Sequence, residues 1–190
     1  RKGGIIAINL EEGDELAWVR NTTGEDDLII ATRQGVAIRF AESDVRPMGR
    51  TATGVRAIRL DEGDEVIAMA TCEEGGYLLT VTENGQGRRT ALGEYRTQNR
   101  GGRGVRNYDC EGKGTLVAGV RVVGEEDDVI LIADDGIIIR IPCKQIAVQS
   151  RYGGGVHAMR LEEGSRVVAL ARAPREEDDE NPVSYTHLTL

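Results

Sequence analysis

Gly54-Val55-Arg56-Ala57-Ile58-Arg59-Leu60-Asp61-Glu62-Gly63-Asp64-Glu65 decides the fold, because the chain repeats this phrase at a fixed interval. Gly4-Ile5-Ile6-Ala7-Ile8-Asn9-Leu10-Glu11-Glu12-Gly13-Asp14-Glu15 precedes it, and a further copy runs from Gly155 to Arg166. The copy opening at Gly104-Val105-Arg106-Asn107-Tyr108 is looser, its turn stretched by Asp109-Cys110-Glu111-Gly112-Lys113-Gly114. Gly4, Gly54, Gly104 and Gly155 are 50, 50 and 51 residues apart, and Gly35, Gly85 and Gly136 keep the same intervals. A period near 50 residues belongs to arrays whose unit cannot bury its own apolar face and must stack on its neighbours.

Working outward, each unit holds short β-branched runs: Leu28-Ile29-Ile30-Ala31, Tyr77-Leu78-Leu79-Thr80-Val81 and Val129-Ile130-Leu131-Ile132-Ala133. A two-residue turn follows each one, Gln34-Gly35, Asn84-Gly85 and Asp135-Gly136, with a glycine able to take positive φ. The next runs, Val36 to Phe40 and Ile137 to Ile141, complete β-hairpins. A second strand pair is expected around the Glu-Gly-Asp turn, Ile5 to Leu10 with Leu16 to Val19 in the first copy. Four antiparallel strands per unit make a blade. No segment has a capped helical period, so the expected class is all-β, a β-pinwheel or propeller-like array with a ~50-residue repeat.

The expected organisation is a partial pinwheel over residues 1–173, with blades of about 3–53, 54–103 and 104–154 and the start of a last blade at 155–173. Residues 174–190 are expected to be an acidic, disordered tail with a foreign end. Glu176 to Glu180 is a run of five acids, and Pro182 to Leu190 fits neither the repeat nor the tail. Arg1 in place of an initiator Met, and an end inside a repeat, mark the expectation of a fragment.

Composition narrows the function classes. Of the 190 residues 39% are hydrophobic, and no apolar run nears the ~20 needed to span a bilayer. No leader pattern opens the chain, so a cytoplasmic location is expected. Cys72, Cys110 and Cys143 are isolated, and His157 and His187 have no ligand-spaced partner, so no metal site is expected. Asp26-Asp27 and Asp127-Asp128 read as solvated turns rather than metal clamps.

The net charge of −8 speaks against nucleic acid only until its distribution is considered. Residues 172–190 hold five acids and two bases, leaving 22 bases against 27 acids, or −5, for the rest. Arg39, Arg89 and Arg140 are spaced 50 and 51 apart, as are Arg50, Arg100 and Arg151. Arg46 matches Arg96, and Arg56 matches Arg106. Equivalent positions in stacked blades trace an arc, so these arginines either form a basic belt or staple neighbouring blades by ion pairs. Arg96, Arg100, Arg103 and Arg106 lie among glycines with no acid between Glu94 and Asp109, a composition suited to phosphate.

These residues resemble the C-terminal β-pinwheel domains of the A subunits of DNA gyrase. The likeness rests on Ser43-Asp44-Val45-Arg46-Pro47-Met48-Gly49-Arg50-Thr51-Ala52-Thr53-Gly54, which runs on through Leu60, and on Gly85-Gln86-Gly87-Arg88-Arg89-Thr90 with Glu94-Tyr95. It covers residues 3 to about 173. The family's box, Gln-Arg-Arg-Gly-Gly-Arg/Lys-Gly, is matched by Gln98-Asn99-Arg100-Gly101-Gly102-Arg103-Gly104 except at Asn99. The register suggests the later blades, about four to six, with residues 98–104 a box-like loop and the box itself upstream.

The resemblance implies a domain that wraps double-stranded DNA with positive handedness around a basic perimeter. The implied DNA-binding residues are Arg39, Arg46, Arg50, Arg56, Arg89, Arg96, Arg100, Arg103, Arg106, Arg140 and Arg151. It also implies partners: the rest of the gyrase A polypeptide, together with gyrase B, in an A2B2 heterotetramer. ATP and Mg would serve the holoenzyme's negative supercoiling, with no cofactor and no catalytic residue in this piece. The acidic tail is expected to compete with DNA for the arginines. Two alternatives are the C-terminal pinwheel of the A-type chain of topoisomerase IV and a chromatin-type propeller that acts as a protein-interaction module.

Overall fold

The computed structural model describes residues 3–73 and 76–173. The three hairpins form where the turn glycines place them. They are β1 (Asp27–Thr32) with β2 (Val36–Ala41), β4 (Tyr77–Thr82) with β5 (Gln86–Ala91), and β8 (Asp128–Ala133) with β9 (Ile138–Pro142). Each is completed by a strand from further along the chain: β3 (Val66–Thr71), β7 (Val117–Val123) and β11 (Val167–Ala173) on one side, and the short β6 (Val105–Arg106) and β10 (Val156–His157) on the other. The sheet orders are β3-β1-β2-β6, β10-β5-β4-β7 and β11-β8-β9, and every pairing is antiparallel. The all-β expectation holds; the one α-helix described is the single turn α1 (Cys110–Lys113), capped by the Asp109 side chain and ended by Gly114 at φ 61°.

The expected blade boundaries differ from this topology. The segments flanking the Glu-Gly-Asp turn do not pair with each other. Residues 105–106 join the first sheet while 117–123 join the second, so the turn between them carries the chain across. The first two sheets therefore comprise one hairpin, the following long strand, and a two-residue strand from the repeat after next, while the third has its hairpin and long strand among the described residues. Ile5–Leu10 and Leu16–Val19, expected as strands, form none. Residues 174–190, including the expected acidic tail and foreign end, lie outside the described residues.

The interleaving follows from the glycines. Gly35 and Gly85 close their hairpins at φ 88° and 81°, and each carbonyl accepts two N–H groups from the repeat after next: Asn107 and Tyr108 on Gly35, Ala158 and Met159 on Gly85. Gly104, at φ 77°, lies against β2, where a Cβ would stand 2.5 Å from the Ala37 carbonyl oxygen. Only glycine fits that approach.

Two apolar cores lie between successive sheets. One gathers Ile29, Ala37, Leu78, Leu92, Tyr95 and Val120, the other Leu79, Val123, Leu131, Ile146, Met159 and Leu170. β3 packs on β7 and β7 on β11, so the sheets converge along these strands. The opposite margin, where β2 and β5 receive their two-residue partners, is where the arginine-bearing loops run.

Candidate nucleic-acid interface

Each hairpin ends in a short 3-10 turn, Glu42–Asp44, Leu92–Glu94 or Cys143–Gln145, and the loops after the second and third cross to the preceding sheet. The box-like loop is one of these. Gln98 N–H donates to the Arg39 carbonyl at 2.8 Å, Gly101 N–H to Ala57 at 2.7 Å, and Gly102 accepts from Arg59 N–H at 2.8 Å. Its main chain is therefore occupied by latching, and Asn99 and Arg103 are left exposed at its tip.

The eleven arginines of the expected belt divide into three groups. At the hairpin position all three guanidinium groups meet a partner within the fold, although Arg140 stays exposed. Arg39 donates to Asp27 at 2.7 Å and to the Leu92 carbonyl at 3.0 Å. Arg140 pairs with Asp128 at 2.8 Å. Arg89 is 4% exposed; it donates to the Ile146 carbonyl at 2.7 Å, and its guanidinium stands 5.0 Å from the centre of the Tyr77 ring. Arg39 and Arg89 thus staple their hairpins to the next repeat, whereas Arg140 braces its own hairpin and stays exposed. Their signal was present in the sequence: Asp27, Tyr77 and Asp128 share the spacing of Arg39, Arg89 and Arg140, twelve residues earlier. Asp27 and Asp128 are thus ion-pair partners and not only turn residues.

Arg100 and Arg151 form the second group. The Arg100 N–H donates to Asp44 at 3.3 Å and its guanidinium reaches the Asp44 and Arg56 carbonyls. Arg151 repeats this one sheet on, its N–H on Glu94 at 3.1 Å and its Nη1 on the Arg106 carbonyl at 2.7 Å. The remaining six, Arg46, Arg50, Arg56, Arg96, Arg103 and Arg106, are exposed. No carboxylate is paired with any of them in the described residues. The latches link the segments that carry them, 44–57 to 99–102 and 94–106 to 150–153, so the six follow one margin from sheet to sheet.

Asp44 and Glu94 lie at the latches themselves, but a second set of acids lies away from this margin. Asp64 and Glu65 of the Glu-Gly-Asp turn bind Gln34 N–H and Arg33 at the hairpin-turn end of the first sheet, and Glu83 also holds Arg33, at 2.6 Å. Asp134 and Asp135 hold Arg166 and Ser165 at the equivalent end of the third. The exposed arginines outnumber Asp44 and Glu94 along the margin, which favours anion binding there despite the negative total.

Sequence reasoning missed the core of the middle sheet. The first sheet has Ile30, Ile38, Phe40, Val45 and Ala57 at five repeat positions, and the third has Leu131, Ile139, Ile141, Ile146 and Ala158. The middle sheet has Thr80, Arg88, Thr90, Tyr95 and Asn107, all buried. Asn107 Oδ1 accepts from Tyr95 at 2.6 Å and from Arg88 at 3.1 Å, and its Nδ2 donates to Thr80 at 3.0 Å. Burial lowers the Arg88 pKa. Comparing repeat positions, rather than motifs, would have found this cluster.

No group of three or more His, Cys, Asp or Glu residues able to hold a metal occurs among the described residues. No described helix is long and apolar enough to cross a membrane. Cys72, Cys110 and Cys143 are free thiols, pushed by burial up to about 11.

Comparison with known proteins fits this geometry. The family described as "DNA gyrase C-terminal domain, beta-propeller" matches residues 1–23, 26–73, 76–123 and 127–174. The second to fourth segments each hold one hairpin and its following long strand. The DNA gyrase A protein of Halalkalibacterium halodurans is 60% identical over 94% of this chain, and that of Clostridium acetobutylicum 48% over 98%. The chain spans only 22% and 23% of those two relatives. Among solved structures, the C-terminal domain of DNA topoisomerase IV superposes with a TM-score of 0.83 at 26% identity, covering 88% of this chain and 53% of that one. The DNA gyrase A C-terminal domain gives 0.80 at 26%, covering 90% and 58%.

Proposed function

Because the chain belongs to the DNA gyrase C-terminal domain family of beta-propellers, we propose that it binds duplex DNA along its arginine margin and bends the duplex around that margin. The observation that carries this is the row of six exposed arginines without carboxylate partners, on loops latched in series from one sheet to the next. Guanidinium groups held at intervals along one edge meet phosphates at intervals along one backbone, and the counterions released supply affinity without reading bases. Selectivity then lies in the bend, which costs of order 1–6 kcal/mol for a 20–30 base-pair site and is offset by contacts further round the margin.

In this reading the domain carries DNA within a larger topoisomerase. It presents a wrapped segment to the remainder of the gyrase A polypeptide and to gyrase B, where strand passage and the use of ATP and Mg take place. The repeat supports gyrase over the topoisomerase IV alternative through its near-complete box-like loop, Gln98 to Gly104, and through high identity to gyrase A proteins.

The test is duplex binding by the 190-residue chain between 50 and 200 mM salt. The expected plot of log affinity against log salt has a slope of about −0.9 per phosphate neutralised. Changing Arg46, Arg50, Arg56, Arg96, Arg103 and Arg106 together to Ala should flatten it, and binding indifferent to salt would refute the reading.

A further inference from the structure

The loop at residues 149–155 is held from beneath by the buried polar core of the middle sheet. Arg88 Nη1 donates to the carbonyls of Arg151 at 2.9 Å and Gly153 at 2.8 Å, while its Nη2 binds the Asn107 carbonyl and side chain. The peptide unit is planar and trans, so a carbonyl turned toward Arg88 sends the following N–H the other way. The amides of Tyr152 and Gly154 therefore face outward. Tyr152 N–H has only a long 3.4 Å contact with Ser150 Oγ, and the Glu94 carboxylate at this loop is engaged by the Arg151 N–H.

A cation stands beside Gly154. A Cβ on Gly154 would lie 3.5 Å from Lys113 Nζ, which places the ammonium against the loop. Lys113 is exposed and ends α1, the insertion that only this repeat contains. It pairs with no carboxylate in the described residues.

We propose that Lys113 and the main-chain amides of Tyr152 and Gly154 form a phosphate subsite for the DNA backbone, with Arg88 as its positioning residue. The proposal rests on the duplex-binding reading and adds to the margin a contact that no arginine supplies. An ammonium beside a loop whose amides point away from its buried anchor is a cradle for a phosphodiester oxygen. Arg88 fixes the cradle before DNA arrives, so the loop need not be ordered on binding.

The experiment titrates labelled duplex with the 190-residue chain, with Lys113→Ala and with Arg88→Met, from 50 to 200 mM KCl. For Lys113→Ala the salt slope should fall by about 0.9, and affinity at low salt should fall about threefold. Arg88→Met should weaken binding with the slope unchanged, since the contact is still made but by a looser loop. Far-UV circular dichroism establishes that both variants are folded. Wild-type slope and affinity in Lys113→Ala, beside a wild type that binds in a salt-dependent way, would overturn the subsite and leave the duplex reading standing. A wild type that shows no salt-dependent binding removes both.

Discussion

Arg151 donates through Nη1 to the main-chain carbonyl of Arg106 at 2.7 Å, and one repeat earlier Arg100 makes the same bond to Arg56. The two arginines of each pair therefore have different tasks. One holds a loop in place, and the other, fixed at its backbone, presents its side chain to solvent. Positions that look equally basic in the sequence are separated by where their guanidinium groups end.

This division predicts contrasting variants. Arg106→Ala should reduce the salt slope of duplex binding by about 0.9 and leave the urea midpoint unchanged. Arg151→Ala should lower stability by about 0.5–1.5 kcal/mol, the net value of an ordinary hydrogen bond, and weaken binding by loosening the loop. Identical behaviour of the two variants in both assays would remove the distinction.

Arg89 should behave as a structural residue. Its removal strips the Ile146 carbonyl of its donor and the Tyr77 ring of its cation. Arg89→Ala should destabilise the chain by about 2–4 kcal/mol in urea titration. At temperatures where it remains folded, its salt slope should match the wild type.

Two glycines with similar φ differ in their surroundings. Gly136, at φ 87°, has nothing within 4 Å of a Cβ, so Gly136→Ala should cost only the left-handed backbone strain of about 1–2 kcal/mol. At Gly104 the same change adds a clash with Ala37, so the loss should exceed that of Gly136→Ala by at least about 1 kcal/mol. Chemical denaturation of both variants measures the difference.

The thiols set an alkaline limit. Burial raises Cys72, Cys110 and Cys143 from 9.0 to about 11. Above pH 9 the unfolded chain releases thiol protons that the folded chain retains, so their contribution is complete below about pH 9 and lost as pH rises to about 11. Urea midpoints should fall across that window. Replacing all three cysteines with Ala should flatten the decline, whatever its effect on absolute stability. At pH 8 iodoacetamide should label the native chain far more slowly than the unfolded one.

Much of the fold could be read from the sequence because its signals are local. Val36 to Phe40 follows Gln34-Gly35 closely enough that turn chemistry alone sets the hairpin register, and β1 and β2 pair as expected. The remaining strands join sheets one repeat or more away, and no local pattern says that Val105 pairs with Ala37 while Val117 pairs with Thr82. The same limit applies to the arginines. Arg39 and Arg103 look alike until Asp27 is placed across the hairpin from one and solvent around the other. Arg88 was hidden for a further reason: it stands where Ile38 and Ile139 stand, so a motif search sees a basic pair where the structure has a core position.

The most direct test of a wrapping margin is topological. A nicked circle should be closed by ligase in the presence of the 190-residue chain, and of the variant with Arg46, Arg50, Arg56, Arg96, Arg103 and Arg106 changed to Ala, and its linking number then measured. The account predicts a shift in the positive direction that grows with the ratio of protein to DNA and is lost in the variant. A wild-type chain that binds the circle yet leaves its linking number unchanged, or a variant that shifts it equally, would contradict the claim that this edge wraps DNA.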